Sequence, residues 1–313
     1  MAPAHKQPKL TLEQASSHEL VVRAVKKAIS DFACRDLVVK PFAQGGLGVI
    51  FTVRNHANQK ILLKVPSYGR RNPDEYWLLE HSLAKEANIL RELNCEAVPG
   101  LIKFDDSGKY LFREFAAGQR LEDLHKKGAV TDVCKKNVLS SLLLVARQLF
   151  DTFHLHAKGC FVIRDFKPVN LILSEHDSSI KLVDVGGTRP ENDMLSKTAR
   201  PFRVGSGKWL HWAPEQLMEM RESLDRRADY FSLGSTVFFV LVGKPPYGNT
   251  EPDRDKVFTL YQEHYWAILC ALDNVGKSLH LPPGLVEYIG KCLSPLSKDR
   301  PCFLPEWIGS QSI

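Results

Sequence analysis

Four polar side chains that could carry chemistry lie in one central stretch of the sequence. Asp165, Lys167 and Asn170 are close neighbours, and Asp184 follows a hydrophobic run just before a glycine pair. A carboxylate can orient and deprotonate a hydroxyl nucleophile, and a lysine beside it can offset charge on a transferred phosphoryl group. Asn170 and Asp184 offer the hard oxygen ligands that Mg²⁺ prefers. The cluster therefore predicts phosphoryl transfer.

Hydrophobic runs flank these residues and would position them. Residues 160–163, 171–173 and 180–183 have the length and composition of strands, and the polar loop 174–179 predicts a hairpin between the last two. Polar groups with a function are commonly carried on loops that such a scaffold fixes. Two capped turns with incidental charges would explain either half of the pattern alone, but not both halves in this order.

The same residues resemble a known family, the eukaryotic-type protein kinases. Residues 163–170, Ile-Arg-Asp-Phe-Lys-Pro-Val-Asn, are similar to its H-R-D-x-K-x-x-N catalytic loop, and residues 184–186 are similar to its D-F-G motif. Ala-Pro-Glu at 213–215 is similar to its A-P-E motif. The resemblance extends over about residues 37–301, which is most of the chain.

This resemblance implies a fold class and a division of the chain. The fold would be α+β, a bilobal protein-kinase-like fold with a small antiparallel-sheet N-lobe that has one key helix, and a larger, mainly helical C-lobe. The implied division is an N-terminal extension with an amphipathic helix at 1–36, the N-lobe and hinge at 37–116, and the C-lobe at 117–313. Within the C-lobe, the resemblance implies an ion pair between Glu215 and Arg300.

A glycine-containing loop between two predicted strands precedes the central stretch. Gly45 and Gly48 would let backbone N–H groups approach phosphates without interference from a Cβ, and Lys64 at the end of the next strand could reach them. A plain flexible hairpin would explain the two glycines equally well. The distance to Lys64 resembles the family's G-x-G-x-x-G-x-V followed by V-A-I-K, and Glu86 occupies the position of the helix glutamate that pairs with this lysine.

The resemblance assigns a role to each of these residues. The implied catalytic residues are Lys64, Glu86, Asp165 and Lys167. The implied ligands of Mg²⁺, with Mn²⁺ as an alternative, are Asn170 and Asp184. Glu114, Phe115 and Ala116 would form the hinge, and the residues that would contact ATP are Ala43, Gly45, Gly48, Ile50, Lys64, Glu114, Ala116 and Ile172. A lysine at position 167 favours serine or threonine over tyrosine as the acceptor in a protein substrate.

Five positions depart from the family pattern. Ala43 stands where the first glycine of the loop is expected, and Leu62 replaces the small alanine that usually lies against the nucleotide base. Arg113 falls at the position that guards the back pocket, where an apolar or small polar residue is usual. Ile163 replaces the histidine of the catalytic loop, and Val185 replaces the phenylalanine of D-F-G.

The departures at Leu62, Arg113, Ile163 and Val185 support a second hypothesis from another functional class. A pseudokinase would use the same fold as a nucleotide-binding or partner-binding allosteric scaffold. Retention of all six polar positions favours an active enzyme, because a scaffold has no chemical need for them together. A kinase that acts on a small molecule is a third hypothesis, but the A-P-E resemblance favours protein substrates.

The polar segment 185–212 offers candidate sites of phosphorylation, including autophosphorylation. Its candidate hydroxyls are Thr188, Ser196, Thr198 and Ser206. Arg164 could pair with a phosphate there and order the segment. Simple loop composition would explain the same hydroxyls.

An amphipathic helix is predicted before the resemblance begins. Ser16-Ser17-His18-Glu19 is a capping-box pattern, and apolar residues recur behind it at helical spacing. The helix could brace the first lobe or bind a regulatory partner, and bracing is favoured because such a stripe is usually core. Two further helices are predicted at 75–93 and 137–157.

Composition limits the other classes of function. The chain has 313 residues, 44% of them hydrophobic, and its formal net charge of +6 is spread along the sequence. This charge modestly favours anionic ligands, and the absence of a dense Lys/Arg tract argues against nucleic acid as a partner. Neither a start-proximal hydrophobic segment nor a run of about eighteen apolar residues occurs, so neither a signal peptide nor a membrane span is expected.

Cysteine usage points to a reducing environment. The seven cysteines are scattered, odd in number and without a C-x-x-C pair. The pattern indicates neither a disulfide framework nor a zinc site and favours a cytoplasmic location. A secreted effector that works in the cytoplasm of another cell would show the same pattern.

Overall fold

Two compact units of different architecture make up the computed structural model of the chain. Unit 1 lies within residues 1–94 and 99–115, and unit 2 lies within residues 95–98 and 116–313. The structure describes residues 11–32, 38–44, 48–54, 59–70, 72–127, 130–191, 210–218, 224–248 and 256–308.

Unit 1 is built on a five-stranded antiparallel sheet. Its strands are β1 (Val38–Gln44), β2 (Gly48–Arg54), β3 (Lys60–Pro66), β4 (Leu101–Phe104) and β5 (Leu111–Glu114), in the spatial order β1-β2-β3-β5-β4. The strands expected before and after the glycine loop are therefore present. Successive side chains of a strand point to opposite faces of the sheet. In β3, Ile61, Leu63 and Val65 therefore lie on one face, and Leu62 and Lys64 lie on the other.

Two N-terminal helices cover one face of this sheet. They are α1 (Leu12–Ser16) and α2 (Glu19–Asp31). Their buried residues Ala15, Val21, Ala24 and Ala28 join one apolar cluster with the sheet residues Val49, Phe51, Val53, Ile61, Leu63, Val65 and Phe112. The apolar stripe of the helices is thus used inside the molecule, which confirms the bracing role predicted for it.

The start of this helical segment was wrongly predicted. The capping box is formed by Thr11 and Gln14, because the Thr11 hydroxyl accepts from the Gln14 N–H at 3.2 Å and the Gln14 side chain accepts from the Thr11 N–H at 2.9 Å. Ser16 ends α1, and its hydroxyl donates to the carbonyl of Glu13 at 3.0 Å. His18 precedes α2 without a side-chain cap. Ser16 and Ser17 thus lie at the C-terminal end of α1 and do not cap the start of the next helix. Local sequence alone does not distinguish these two positions for a serine.

Helix α3 (Tyr76–Leu93) matches the helix predicted at 75–93. The turn between β4 and β5 packs tightly against it, since a Cβ on Gly108 would lie 1.9 Å from the carbonyl oxygen of Glu80. Gly108 also has a φ of +76°, which a glycine adopts without strain. Lys109 forms an ion pair with the Glu80 side chain in the same place. The position of α3 therefore depends on this turn.

The same turn is bound to the end of α2. Lys27 donates to Asp31 at 2.7 Å and to Asp105 at 2.8 Å, and the Tyr110 hydroxyl donates to Asp31 at 2.9 Å. These two carboxylates raise the pKa of Lys27, chiefly through the hydrogen bonds they accept. A continuous set of polar contacts thus runs from α2 through the β4–β5 turn to α3.

Unit 2 is mainly helical. Its helices are α4 (Asp132–His154), α5 (Pro214–Leu217), α6 (Arg227–Val242), α7 (Val257–Ser278) and α8 (Pro283–Cys292). Its short strands are β6 (Gln119–Arg120), β7 (Phe161–Val162), β8 (Leu171–Leu173), β9 (Ile180–Leu182) and β10 (Arg189–Pro190). Among the described residues of both units, 3₁₀ segments occur at Tyr68–Arg70, Pro73–Glu75, Leu121–Lys127, Pro168–Asn170 and Ser297–Asp299.

The short strands and α4 correspond to predicted elements. Strands β8 and β9 pair in an antiparallel hairpin, as predicted, and β6 extends this sheet beside β8. Helix α4 begins five residues earlier than the predicted start at 137, because Thr131 caps it by accepting from the N–H of Cys134. It ends at His154, where the predicted helix ran to 157.

Helix α6 is buried almost all round and supports the rest of unit 2. Its buried polar residues Asp229, Ser232 and Ser235 bond to segments that surround it. Within the residues described, no helix has the length and hydropathy needed to cross a lipid bilayer. An antiparallel-sheet unit and a larger helical unit together confirm the predicted α+β class.

The predicted ion pair between Glu215 and Arg300 is present in unit 2. The guanidinium of Arg300 donates to both carboxylate oxygens, at 2.7 and 3.0 Å, and both side chains are buried. Arg300 also donates to the carbonyls of Ser294 and Pro295, at 2.7 and 3.0 Å. Its charge lies 4.9 Å from the centre of the Phe231 ring. The buried guanidinium of Arg300 therefore has hydrogen-bond acceptors and an aromatic ring to compensate for its charge.

Candidate active site

In unit 1, the lysine and the glutamate predicted to pair lie in contact. Lys64 is on β3 and Glu86 is on α3, and Lys64 Nζ lies 2.6 Å from Glu86 Oε2. The two side chains are only 10% and 3% exposed, so the pair is shielded from water. The other oxygen of Glu86, Oε1, is buried and accepts no hydrogen bond from the residues described.

Gly48, at the start of β2, lies directly against this lysine. A Cβ at position 48 would be 3.1 Å from Lys64 Cε and 3.1 Å from the carbonyl oxygen of Val65, which is closer than ordinary contact. Ile50 is the cross-strand partner of both Lys64 and Ala43, so these predicted nucleotide contacts are neighbours in the sheet. Gly45, the other predicted glycine, lies outside the described residues.

Leu62 and Arg113, two departures from the family pattern, lie side by side. They are directly paired across β3 and β5, and they are 6% and 3% exposed. Both share a face with Lys64, because residues two apart on a strand point the same way. A large aliphatic side chain and a second cation are therefore buried on the face that carries Lys64.

The predicted hinge begins where β5 ends. Glu114 is tied to Gly100 twice: its N–H donates to the Gly100 carbonyl at 2.9 Å, and its carboxylate accepts from the Gly100 N–H at 3.0 Å. Phe115 follows, with Phe42 in edge contact and Lys60 Nζ 3.7 Å from its ring centre.

The remaining predicted ATP contacts, Ala116 and Ile172, belong to unit 2. Ile172 lies in the middle of β8 and pairs with Arg120 on one side and Lys181 on the other. The predicted set of nucleotide contacts is thus divided between the two units.

In unit 2, Asp165 is the centre of a small hydrogen-bonded group. Lys167 donates from Nζ to Asp165 Oδ1, and Asn170 donates from Nδ2 to Asp165 Oδ2 at 2.7 Å and to its carbonyl at 3.0 Å. The Asp165 side chain stays 20% exposed, whereas that of Lys167 is 3% exposed. Three predicted site residues are therefore brought together around one carboxylate that remains accessible.

A buried carboxylate of α6 holds the backbone of this loop. Asp229 accepts from the N–H groups of Ile163 at 2.8 Å and Arg164 at 2.7 Å, and it contacts His154 Nε2 at 2.9 Å. Arg164 has a φ of +66°, a left-handed conformation that is costly for a residue with a side chain. The contacts of Asp229 compensate for that strain and fix the direction of the chain just before Asp165.

His154 is a positioning residue that the sequence interpretation did not assign. It is the last residue of α4, is 5% exposed and stacks on Phe150. The available signal was its position four residues after Phe150, on the apolar face of a predicted helix. The contact with Asp229, 75 residues away, left no trace in local sequence.

Asp184 and the glycine pair after it lie beside the catalytic loop. The Gly186 N–H donates to Asp184 Oδ1 at 3.0 Å. A Cβ on Gly187 would lie 3.2 Å from the Ile163 carbonyl oxygen and 3.3 Å from Asp165 Cβ. The second glycine of the pair therefore allows this segment to approach Asp165 closely, a role that the D-F-G resemblance did not include.

Of the candidate phosphorylation sites, Thr188 alone falls within the described residues. It is fully buried, and its hydroxyl makes no hydrogen bond within the part of the chain that the structure describes. A kinase could not reach it in this conformation. Ser196, Thr198 and Ser206 lie outside the described residues.

The donors at Asn170 and Asp184 fit a magnesium ion. Both hydrogen bonds of the Asn170 side chain use its amide nitrogen, which leaves the amide oxygen as a ligand. Asp184 adds a carboxylate, and oxygen donors of this kind suit Mg²⁺. In the described ranges, no three His, Cys, Asp or Glu side chains converge on one point. A two-ligand site of this kind suits a metal that is completed by substrate phosphates and water.

The segment before α5 approaches the catalytic loop from outside it. Gln216 Nε2 donates to the Arg164 carbonyl at 3.0 Å, and Trp212 Nε1 lies 3.4 Å from Asp165 Oδ1. His211 is completely enclosed, and burial together with the nearby charge of Lys167 lowers its pKa to about 3. His211 is therefore neutral at physiological pH. None of these three residues was predicted as a site residue.

Comparison with known proteins identifies similar sequences over most of the chain. The sequence family described as the protein kinase domain matches residues 38–306. Human serine/threonine-protein kinase ULK1 is 27% identical over 240 residues, and serine/threonine-protein kinase PknA of Nostoc sp. is 26% identical over 233 residues. Serine/threonine-protein kinase ste20 of Emericella nidulans is 36% identical over 215 residues.

The matched segments cover much of this chain but little of each relative. They are 73%, 70% and 67% of this chain for ULK1, PknA and ste20, respectively. They are 21%, 39% and 23% of those proteins in the same order. The chain thus spans less than two fifths of the length of these relatives.

Proposed function

Because the chain belongs to the eukaryotic-type serine/threonine protein kinase family, we propose that it transfers the γ-phosphoryl group of ATP to serine or threonine hydroxyls of proteins, including its own. The observation that carries this proposal is the arrangement around Asp165. Lys167 and Asn170 orient a partly exposed carboxylate, and Asp229 fixes the loop that holds it.

In the proposed reaction, Asp165 orients the acceptor hydroxyl and takes its proton. The hydroxyl oxygen forms a bond to the γ-phosphorus, the bond from that phosphorus to the β–γ bridging oxygen breaks, and ADP leaves. Lys167 stabilises charge on the transferred group, and Lys64, held by Glu86, positions the α- and β-phosphates. Asn170 and Asp184 would hold Mg²⁺, which would neutralise phosphate charge.

The geometry of the lysine–glutamate pair supports activity. A buried lysine that is already paired with a glutamate at 2.6 Å keeps its charge in a fixed position, and fixed charges stabilise a transition state without reorganisation. A scaffold would gain nothing from this, since a buried ion pair is on its own weak support for stability.

A second candidate function is a pseudokinase that acts as an allosteric scaffold. The observation that favours it is the burial of Leu62 and Arg113 together on the Lys64 face. A large side chain at 62 would narrow the space for the nucleotide base, and Arg113 adds a second cation there. Under this hypothesis the protein binds nucleotide weakly, or not at all, and transfers no phosphate.

Incorporation of labelled phosphate from Mg-ATP separates the two candidates. We would compare the wild-type protein with Asp184→Asn, using the protein itself and a generic basic protein as acceptors. Asp273→Asn is the matched control, because Asp273 is 54% exposed on α7 and pairs with Lys277 one turn on. Label on serine or threonine that is lost in Asp184→Asn and kept in the control supports the kinase. No label and no nucleotide-induced thermal shift together support the scaffold, whereas a thermal shift without label points to a missing activator or an untested acceptor.

A further inference from the structure

Trp212 is a donor to the catalytic carboxylate that comes from outside the catalytic loop. Its Nε1 lies 3.4 Å from Asp165 Oδ1, 47 residues away in sequence. This is longer than the usual N–H···O distance of about 2.7–3.2 Å. Catalytic hydrogen bonds are often long in ligand-free structures and shorten in the substrate complex, so the length is compatible with a functional contact.

The donors around Asp165 limit where a substrate can approach. A carboxylate has about four acceptor positions, two on each oxygen. Lys167 and Trp212 both donate to Oδ1, and Asn170 donates to Oδ2. Considering only the described residues, these contacts leave one acceptor position, on Oδ2. Without the indole, a second position on Oδ1 would be open to a hydroxyl or to water.

The backbone that carries Trp212 is held on both sides. The preceding residue, His211, contacts Ser235 Oγ at 2.8 Å through Nδ1, and its carbonyl accepts from Ser232 Oγ at 3.0 Å. The Trp212 carbonyl accepts from the Tyr261 hydroxyl at 3.5 Å. The indole therefore extends from a fixed point on α6 and α7, so that its N–H can constrain the carboxylate rather than follow it.

The indole N–H differs chemically from the other donor on Oδ1. Lys167 carries a positive charge and, in the proposed function, also contacts the transferred phosphoryl group. The indole is neutral and donates a single proton along a fixed direction. It can hold Asp165 in place while Lys167 moves toward the phosphate, which a second lysine could not do without adding charge.

We propose that Trp212 is a positioning residue for Asp165, and that its indole N–H directs Oδ2 of that carboxylate toward the acceptor hydroxyl. The inference rests on the proposed kinase function and names a residue that the reaction needs beyond the six polar positions. Trp212 should affect the protein substrate and not ATP, because Asp165 contacts the acceptor hydroxyl. In the hydrogen bonds described, Trp212 does not contact any residue predicted to bind ATP.

The Trp212→Phe variant tests this, because it keeps an aromatic ring and removes only the N–H. We expect kcat to fall roughly tenfold, with the KM for ATP unchanged, since one hydrogen bond that orients the proton acceptor is lost. Trp266→Phe is the matched control: Trp266 is 74% exposed on α7, and we expect it to leave both parameters unchanged. An unchanged kcat in Trp212→Phe, or a rise in the KM for ATP with kcat kept, would overturn the proposal.

A second measurement does not depend on turnover. The indole ¹H–¹⁵N resonance of Trp212 can be identified by its loss in Trp212→Phe. We expect it to move upfield in Asp165→Asn, because an amide oxygen is a weaker acceptor than a carboxylate. The Trp266 resonance should stay in place. If the chemical shift of the Trp212 indole N–H is unchanged in Asp165→Asn, the contact with Asp165 is excluded.

The two measurements also separate failure of the inference from failure of the proposed function. If the wild-type protein transfers no phosphate while the Trp212 resonance responds to Asp165→Asn, the kinase proposal fails and the contact stands as a structural one. If phosphate is transferred and the resonance does not respond, the inference fails and the kinase proposal stands.

Discussion

Each unit of the molecule contains a buried ion pair, and the two pairs are built differently. In unit 2, Arg300 binds both oxygens of Glu215, at 2.7 and 3.0 Å, and gives further N–H groups to backbone carbonyls. In unit 1, Lys64 binds one oxygen of Glu86 at 2.6 Å, and the other oxygen is buried without a hydrogen bond from the described residues.

This difference indicates what each pair is for. In the first pair the guanidinium donates all five of its N–H groups, so it has no donor left for a ligand, and breaking the pair would leave an isolated buried charge. A pair that uses one oxygen of its carboxylate is less stable than it could be. This lower stability is expected where a ligand also binds one of the charged groups, as phosphates would bind Lys64. The first pair should therefore govern stability and the second should govern activity.

The largest expected effect is at the saturated pair. Arg300→Met should lower the free energy of unfolding by about 3–5 kcal/mol, because Glu215 would be left buried and unpaired. Denaturant titration measures this loss. The double variant Arg300→Met/Glu215→Leu removes both charges and should be less destabilised than the single variant. If the double variant is the less stable of the two, the pair does not act as the comparison requires.

The next effect is at the unsaturated pair. Glu86→Gln should lower kcat/KM for phosphate transfer about 100-fold, or about 2.7 kcal/mol, because Lys64 loses the charge that fixes it. The free energy of unfolding should change by less than about 1 kcal/mol, since an amide can still accept the lysine hydrogen bond. Kinetics and denaturant titration on the same preparation test both statements. A stability loss equal to that of Arg300→Met would break the comparison.

A third effect concerns His211, a buried base near the charge of Lys167. The pKa of His211 is lowered to about 3, first by burial and then by Lys167. The unfolded chain binds a proton near pH 6.5, so the stability from this group is present above that pH and is lost as pH falls toward 3. Between pH 7.5 and pH 5 the loss should be about 2 kcal/mol.

The pH dependence has a direct control. His211→Gln should remove that part of the slope in unfolding free energy between pH 7.5 and pH 5, whereas His81→Gln, at an exposed position of α3, should leave the slope as it is. Equal slopes in the wild-type and His211→Gln proteins would show that His211 is not held neutral by its surroundings.

The smallest effect is expected at a partly exposed pair. Lys27→Met removes the bonds to Asp31 and Asp105 and should cost about 0.5–1 kcal/mol of unfolding free energy, because pairs near the surface contribute little. Arg23→Met is the control, since Arg23 and Glu19 are 71% and 74% exposed and lie on the same helix. The control should change stability by less than about 0.5 kcal/mol. A loss well above about 1 kcal/mol would mean that the α2 contacts matter more than burial suggests.

Motif spacing was sufficient to predict much of the site and of the fold. Asp165, Lys167 and Asn170 are close in sequence, so their contacts could be anticipated from a short loop. The Lys64–Glu86 and Glu215–Arg300 contacts are distant in sequence and were implied by family resemblance alone. Strand-type composition predicted β1 to β3, and helical periodicity predicted α3, because both signals are local.

The residues that were missed act through contacts that local sequence does not encode. Asp229 reaches Ile163 and Arg164 across more than sixty positions, and His154 reaches Asp229 across 75. Gly187 is needed because of what lies opposite it, which only the folded chain reveals. The capping error at Ser16 is of another kind: hydroxyl side chains serve both ends of helices, so the pattern was ambiguous.

The N-terminal helices affect where a recombinant fragment of the protein should begin. Family similarity begins at residue 38, but the apolar cluster of unit 1 already includes Ala15, Val21, Ala24 and Ala28. A recombinant fragment that starts at the family boundary would expose the sheet side chains Phe51, Leu63 and Val65 to water. Such a fragment should aggregate during expression. The smallest piece worth producing therefore starts before Thr11, ahead of the boundary that homology suggests.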